Sequence, residues 1–141
     1  MPDTVALVSC VKSKAPGARP AQDLYVSALF RKMRKYAEAN ADRWFVLSAL
    51  HGLVEPITPL EPYEVTLNGA SRAVRREWSR KVFLQMQDRD LVVPGQRMIW
   101  LAGQNYIADL RPLLNSCEHV EPMKGMPIGR RLQWLTEQAA V

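Results

Sequence analysis

Three short apolar runs, each followed by a stretch with helical periodicity, constrain this chain more than any other feature. Thr4 to Ser9 is β-branched and apolar with no polar alternation, the pattern of a strand buried on both faces. Trp44 to Ala49 and Arg97 to Ala102 repeat it. Strands alternating with helices imply right-handed crossovers and a mostly parallel sheet flanked by helices. The expectation is an α/β protein with one three-layer domain over residues 1–141, its core supplied by 48% hydrophobic residues. No internal repeat, linker or low-complexity tract divides it.

Between the strands, Val11 to Gln22 reads as a loop, and Asp23 is placed to cap a helix running to about Asn40. Leu24, Ala28, Leu29, Met33, Tyr36 and Ala37 form its apolar stripe, with Arg31, Lys32, Arg34 and Lys35 in its second half, where cations suit the dipole. Ile57 to Leu67 carries Pro59 and Pro62 and reads as extended or irregular. Ser71 caps a helix to about Gln87 with Val74, Trp78 and Val82 facing inward. Tyr106 to Leu114 reads as a short helix, Cys117 to Glu121 as a short strand and Ile128 to Ala139 as a terminal helix.

Ligands of open α/β sheets bind at the carboxyl ends of the strands. Those ends carry Ser9-Cys10, the Ser48-to-Gly52 loop, and Gly103-Gln104-Asn105-Tyr106, which converge on one pocket if the strands are neighbours. His51 can donate a proton or bind a base or phosphate there, or simply tie its loop to the backbone. Cys10 is a candidate thiol nucleophile or a small buried hydrophobe. His119 falls in an expected strand and reads as structural. Glu61-Pro62-Tyr63-Glu64 holds carboxylates and an aromatic on a proline-stiffened loop, suited to a sugar or a base or to a solvated surface. Asp23 has a capping role that explains it fully, and a catalytic one is compatible with it.

Composition narrows the partners. The net charge of +5 favours polyanions, and Arg72, Arg76 and Arg80, four residues apart, share one helix face that can follow phosphates or merely be solvated. Lys12, Lys14 and Arg19 add charge on the first loop. The chain lacks CxxC, HExxH, Walker A and GxGxxG patterns, so metal, nucleoside-triphosphate and dinucleotide chemistry are not expected, and no cofactor is assigned. The two cysteines form no scaffold pattern. No targeting segment is recognised and no apolar run nears the roughly 18 residues of a membrane span, so a cytoplasmic protein is expected.

Several stretches together resemble the YaaA-like superfamily of small α/β domains: Ser9 to Lys14, Asp23 to Phe30, Leu47 to Leu53, Pro62 to Leu67, Gly103 with Tyr106, and Gly125 to Leu135. They span nearly the whole chain in the order that superfamily shows. One departure is Glu64, where its Pro-Tyr motif more often carries Asp. The resemblance implies modified-base biology, and some relatives resemble DNA glycosylases acting on modified pyrimidines such as 5-hydroxymethyluracil.

Under that resemblance, Glu64, Asp23 or Glu61 would stabilise the cationic sugar, and His51, Asn105 or Gln104 the departing base. Tyr63, Tyr25 or Tyr106 would stack on a flipped base. Ser9, Cys10, Ser48, Gly52 and Gly103 would complete the substrate pocket. Lys12 would bind phosphate or, less simply, attack the sugar. Lys14, Arg72, Arg76 and Arg80 would grip the DNA. The expected activity is metal-independent excision of a uracil-type or 5-hydroxymethyluracil-type base from DNA. A non-catalytic module binding DNA or RNA, and an N-ribohydrolase or base transferase acting on free nucleosides or nucleotides, are the alternatives.

Overall fold

A computed structural model of the chain describes residues 3–10 and 14–139. The first apolar run forms β1 (Thr4–Ser9), buried from Val5 onward. The minimal strand β2 (Arg19–Pro20) and the single-turn helix α1 (Ala21–Leu24) interrupt the expected first loop. Next come α2 (Ala28–Asn40), β3 (Arg43–Ser48), β4 (Gly52–Val54) and the short β5 (Pro59–Leu60). The long helix α3 (Arg72–Asp88), β6 (Arg97–Leu101) and α4 (Gln104–Ile107) follow. A 3-10 turn (Arg111–Leu114), β7 (Glu118–Val120) and α5 (Ile128–Ala139) complete the chain.

The main sheet has the order β4-β3-β1-β6-β7. Strand β1 lies parallel to β3 and β6, β6 parallel to β7, and only β4 runs antiparallel, folding back on β3. The chain leaves β1 toward one edge and later returns to its other side at β6. Right-handed crossovers then carry α2 and α3 over opposite faces of the sheet. Helix α2 packs on β1 and α5, and α3 packs on β4 and α4. The fold is therefore α/β with a mostly parallel sheet between helices. The largest fully buried side chains come from both strands and helices, among them Trp100, Tyr25, Phe30, Leu7 and Met33.

Three local expectations are corrected. Asp23 does not cap the long helix; residues 25–27 leave helical geometry, and Ser27 Oγ accepts the Phe30 N–H at 3.1 Å to start α2 afresh. Of the expected stripe, Leu24, Met33 and Ala37 are buried and Leu29 and Tyr36 pack against the core, joined by Phe30, whereas Ala28 is exposed. The cations from Arg31 to Lys35 straddle the middle of α2 rather than filling its second half. Val74 does not face inward either. It is 51% exposed, because the buried stripe of α3 starts at Trp78 and runs through Val82 and Met86. The Ser71 cap is as expected, its Oγ accepting the Val74 N–H at 3.2 Å.

His119 is structural by its bonding. The Trp100 indole, a pure donor, gives its N–H to His119 Nδ1 at 3.0 Å. The neutral ring's proton is then on Nε2, which donates to the Leu114 carbonyl at 2.9 Å. Among the described residues no helix is long and apolar enough to cross a membrane.

Candidate functional site

Because β3, β1 and β6 are neighbours, the segments at their carboxyl ends do meet. Between β1 and β6 the chain reverses its direction of travel across the sheet, the position where open α/β sheets bind ligands. A cleft of about 630 Å³ opens there, within the usual size of small-molecule pockets. Its lining comes from Cys10 after β1, Tyr106 in α4, Lys14, and the irregular segment Tyr63, Glu64, Val65, Thr66 and Asn68.

Cys10 and Tyr106 bridge the switch point, with Sγ and the phenol oxygen 3.3 Å apart. The Ala49 amide donates to the same sulfur at 3.4 Å, joining all three strand ends at the cleft floor. Burial pushes the Tyr106 phenol well above its ordinary range, so it stays protonated.

Tyr63 is held by its hydroxyl. It shares hydrogen bonds with Tyr25 at 2.6 Å and with Ser48 Oγ at 2.7 Å, and Ser48 Oγ also accepts the His51 amide at 3.0 Å. Burial raises the Tyr25 phenol to about 12 and drives the Tyr63 phenol higher still, so both remain neutral. The Lys14 ammonium sits 4.5 Å from the centre of the Tyr63 ring. A cation over an aromatic face at that range is attracted by the ring's electron density.

The loop between β3 and β4 is fastened by one face of α3. The Trp78 indole donates to the Ser48 carbonyl at 2.8 Å, Lys81 to the Leu50 carbonyl at 3.2 Å, and Gln85 to the His51 carbonyl at 3.1 Å. Gln85 Oε1 accepts the Leu53 amide at 2.8 Å. His51 itself is exposed and meets Tyr63 edge to face, ring centres 5.6 Å apart. Partial burial, then the nearby Lys81 ammonium, hold its imidazole below the ordinary histidine range, favouring the neutral ring near neutral pH.

The structure gathers Glu64, Cys10, Lys14, Tyr63 and Tyr106 from the expected set, with Ser48 and His51 one contact behind Tyr63. Tyr25, only 1% exposed, reaches the cleft through the Tyr63 hydroxyl and has no ring surface for a base. Asp23 stands apart, paired with Arg34 at 3.1 Å. Gln104 turns to Glu121, at 3.4 Å, outside the cleft lining. Ser9 is buried in β1, and Gly103 caps α4. Gly52 is buried at the start of β4 with a φ of +79°, a backbone role. Lys12 lies outside the described residues. Among the described residues no cluster of three or more His, Cys, Asp or Glu is placed to hold a metal.

Residues 5–137 match a family model described as a family of unknown function, DUF6884. The chain belongs to the DUF6884 family. The uncharacterized protein YfjM of Bacillus subtilis (strain 168) is similar to this DUF6884 chain, at 26% identity over 124 residues, covering 82% of the chain and 80% of that protein.

Sequence reasoning missed Thr66 and Asn68 as cleft residues of this DUF6884 protein. It also missed Gln85, which faces a loop 34 residues earlier in the chain. Nothing local distinguishes an irregular segment that lines a cleft from one that lies on the surface.

Proposed function

We propose that this protein hydrolyses the N-glycosidic bond of a modified or damaged pyrimidine in DNA, of the uracil or 5-hydroxymethyluracil type, without a metal. The observation that carries this reading is the position of Glu64. Among the described residues it brings the only carboxylate to the cleft lining, beside Tyr63 and Lys14. The YaaA-like resemblance of the segments around Cys10, His51 and Tyr63 supports the same reading.

In such a reaction the C1′–N bond breaks, and its electron pair leaves on the base. Positive charge develops at C1′ and the ring oxygen, which an adjacent carboxylate stabilises. Water then supplies the oxygen that joins C1′, its proton passing to the departing base or to solvent. Glu64 is assigned the carboxylate role. Of the three tyrosines, Tyr63 is the one with ring surface left for a flipped base, since Tyr25 and Tyr106 are 1% and 5% exposed. Lys14 is assigned to a phosphate or to the base.

Helix α3 begins beside the cleft, because Arg75 reaches Asn105 at 3.4 Å and Asn105 reaches the cleft residue Asn68 at 2.8 Å. Arg72, Arg76 and Arg80 are all exposed along this helix. Their placement favours a nucleic-acid substrate over a free nucleoside, and equally favours the second reading, a binding module without catalysis. Arg76→Ala combined with Arg80→Ala should weaken DNA binding at low salt. The slope of log affinity against log salt should fall by about 2, near one unit for each phosphate no longer neutralised. Fluorescence anisotropy at several salt concentrations measures this. An unchanged slope would leave the stripe as a solvated face.

A strand-cleavage assay tests the catalytic reading. Purified protein in EDTA meets labelled duplexes carrying uracil, 5-hydroxymethyluracil or an alkylated base, followed by hot alkali. Alkali-dependent breaks at one of these bases support a monofunctional glycosylase and identify its substrate. No cleavage, with tight salt-sensitive binding, replaces it with the binding-module reading.

A further inference from the structure

One wall of the cleft has its hydrogen-bonding polarity set by a chain of three side chains. Arg75 Nη1 donates to Asn105 Oδ1 at 3.4 Å, and Asn105 Nδ2 donates to Asn68 Oδ1 at 2.8 Å. A guanidinium carries donors and no acceptor. Asn105 must therefore turn its oxygen to Arg75, which leaves its amide nitrogen for Asn68. Asn68 accepts with its oxygen, so its own Nδ2, unused among the described residues, is the donor it offers a ligand at the cleft wall. Reversing either amide would set N–H against N–H. The orientation of an amide is usually a choice between two similar networks; here the donor-only cation at the head of the chain permits one.

Lys14, the other nitrogen-bearing side chain of the lining, also offers donors and no acceptor. The amide of Asn68 on this wall thus calls for an acceptor on the ligand. A pyrimidine with ring carbonyls supplies one.

We infer that Asn68 is a specificity-determining residue, donating from Nδ2 to a keto oxygen of the bound base, with Arg75 and Asn105 as the positioning residues that fix its polarity. The inference rests on the glycosidase reading for the class of ligand and goes beyond it in naming the group that reads the base.

The test compares two duplexes, each with one C-linked nucleotide opposite an abasic spacer, so that neither cleavage nor base-pairing strength enters. One carries 2′-deoxypseudouridine, with both ring carbonyls. The other carries the 2,4-difluorotoluene nucleotide, which has nearly the same shape and no strong acceptor. The intact chain should bind the first about tenfold more tightly, the order expected of one well-placed hydrogen bond. Asn68→Asp keeps the acceptor for Asn105 and replaces the donor, so the preference should vanish or invert. Arg75→Gln, which can accept as well as donate, should shrink it.

No preference in the unaltered protein, or the same preference in Asn68→Asp, overturns the inference. An unchanged preference in Arg75→Gln removes the polarity relay. Thermal unfolding shows that each variant remains folded. Failure here is separable from failure of the cleavage reading. Strand cleavage with a preference indifferent to Asn68 sinks only this inference. A preference that collapses in Asn68→Asp without any cleavage sinks only the glycosidase.

Discussion

Glu64→Gln should reduce base excision by about a hundredfold or more while leaving the protein as stable as before. The substitution keeps shape and removes charge. A carboxylate beside a developing oxocarbenium ion acts through electrostatics, and losing one preorganised group of this kind costs roughly 10²–10³ in rate. The fold has little stake in this side chain. Glu64 is exposed, lies in an irregular segment, and takes no part in the salt bridges that link Arg34, Arg43, Arg89, Arg111 and Arg130 to their partners. Quantified alkali-dependent breaks give the rate, and circular dichroism melting gives the stability. Full activity in Glu64→Gln would remove this residue from the mechanism, whatever substrate the cleavage assay identifies.

Gly52→Ala is expected to have the largest effect on stability of any single methyl added near the site. Gly52 has a φ of +79°, which costs an L-residue roughly 1–2 kcal/mol. The added Cβ would also fall inside van der Waals contact of Gln85 Oε1. That oxygen accepts the Leu53 amide, and the same side chain's nitrogen donates to the His51 carbonyl. Displacing Gln85 gives up both bonds, at about 1 kcal/mol each. The sum is a destabilisation of about 3–4 kcal/mol, read as a fall in the urea midpoint at unchanged slope. Gly103→Ala is the internal control. Gly103 has a φ of −80° and open space where its Cβ would stand, so its substitution should be nearly neutral. Equal effects at the two glycines would contradict this account of the loop.

Much of the fold is legible before any coordinates. Thr4 to Ser9 and Ile128 to Ala139 fall at the boundaries their patterns indicate, and Ser71 caps the helix it precedes. These are local effects: a run of β-branched side chains favours extension, an amphipathic stripe favours a helix, and a serine hydroxyl can satisfy the first free amides of the turn that follows it. Where two local signals compete, sequence alone chooses badly. Asp23 and Ser27 can both cap a helix, and the extended stretch through Tyr25 settles the matter by placing that ring in the core and its hydroxyl on Tyr63.

The candidate site divides the same way. Strand-end chemistry pointed to Cys10, His51 and Tyr106, and the proline-stiffened loop to Tyr63 and Glu64, because those positions follow from general rules about α/β sheets and prolines. The sequence by itself therefore determined the α/β class, most of the strands and longer helices, and the segments from which a site would be drawn. Tertiary structure alone decided that β1 lies between β3 and β6, that Asp23 pairs with Arg34 away from the cleft, and that Asn68 meets Asn105 from 37 residues away. The physical reason is one of range. Propensity and capping act over about one turn of chain, whereas a cleft is made by side chains that meet only after the sheet has packed.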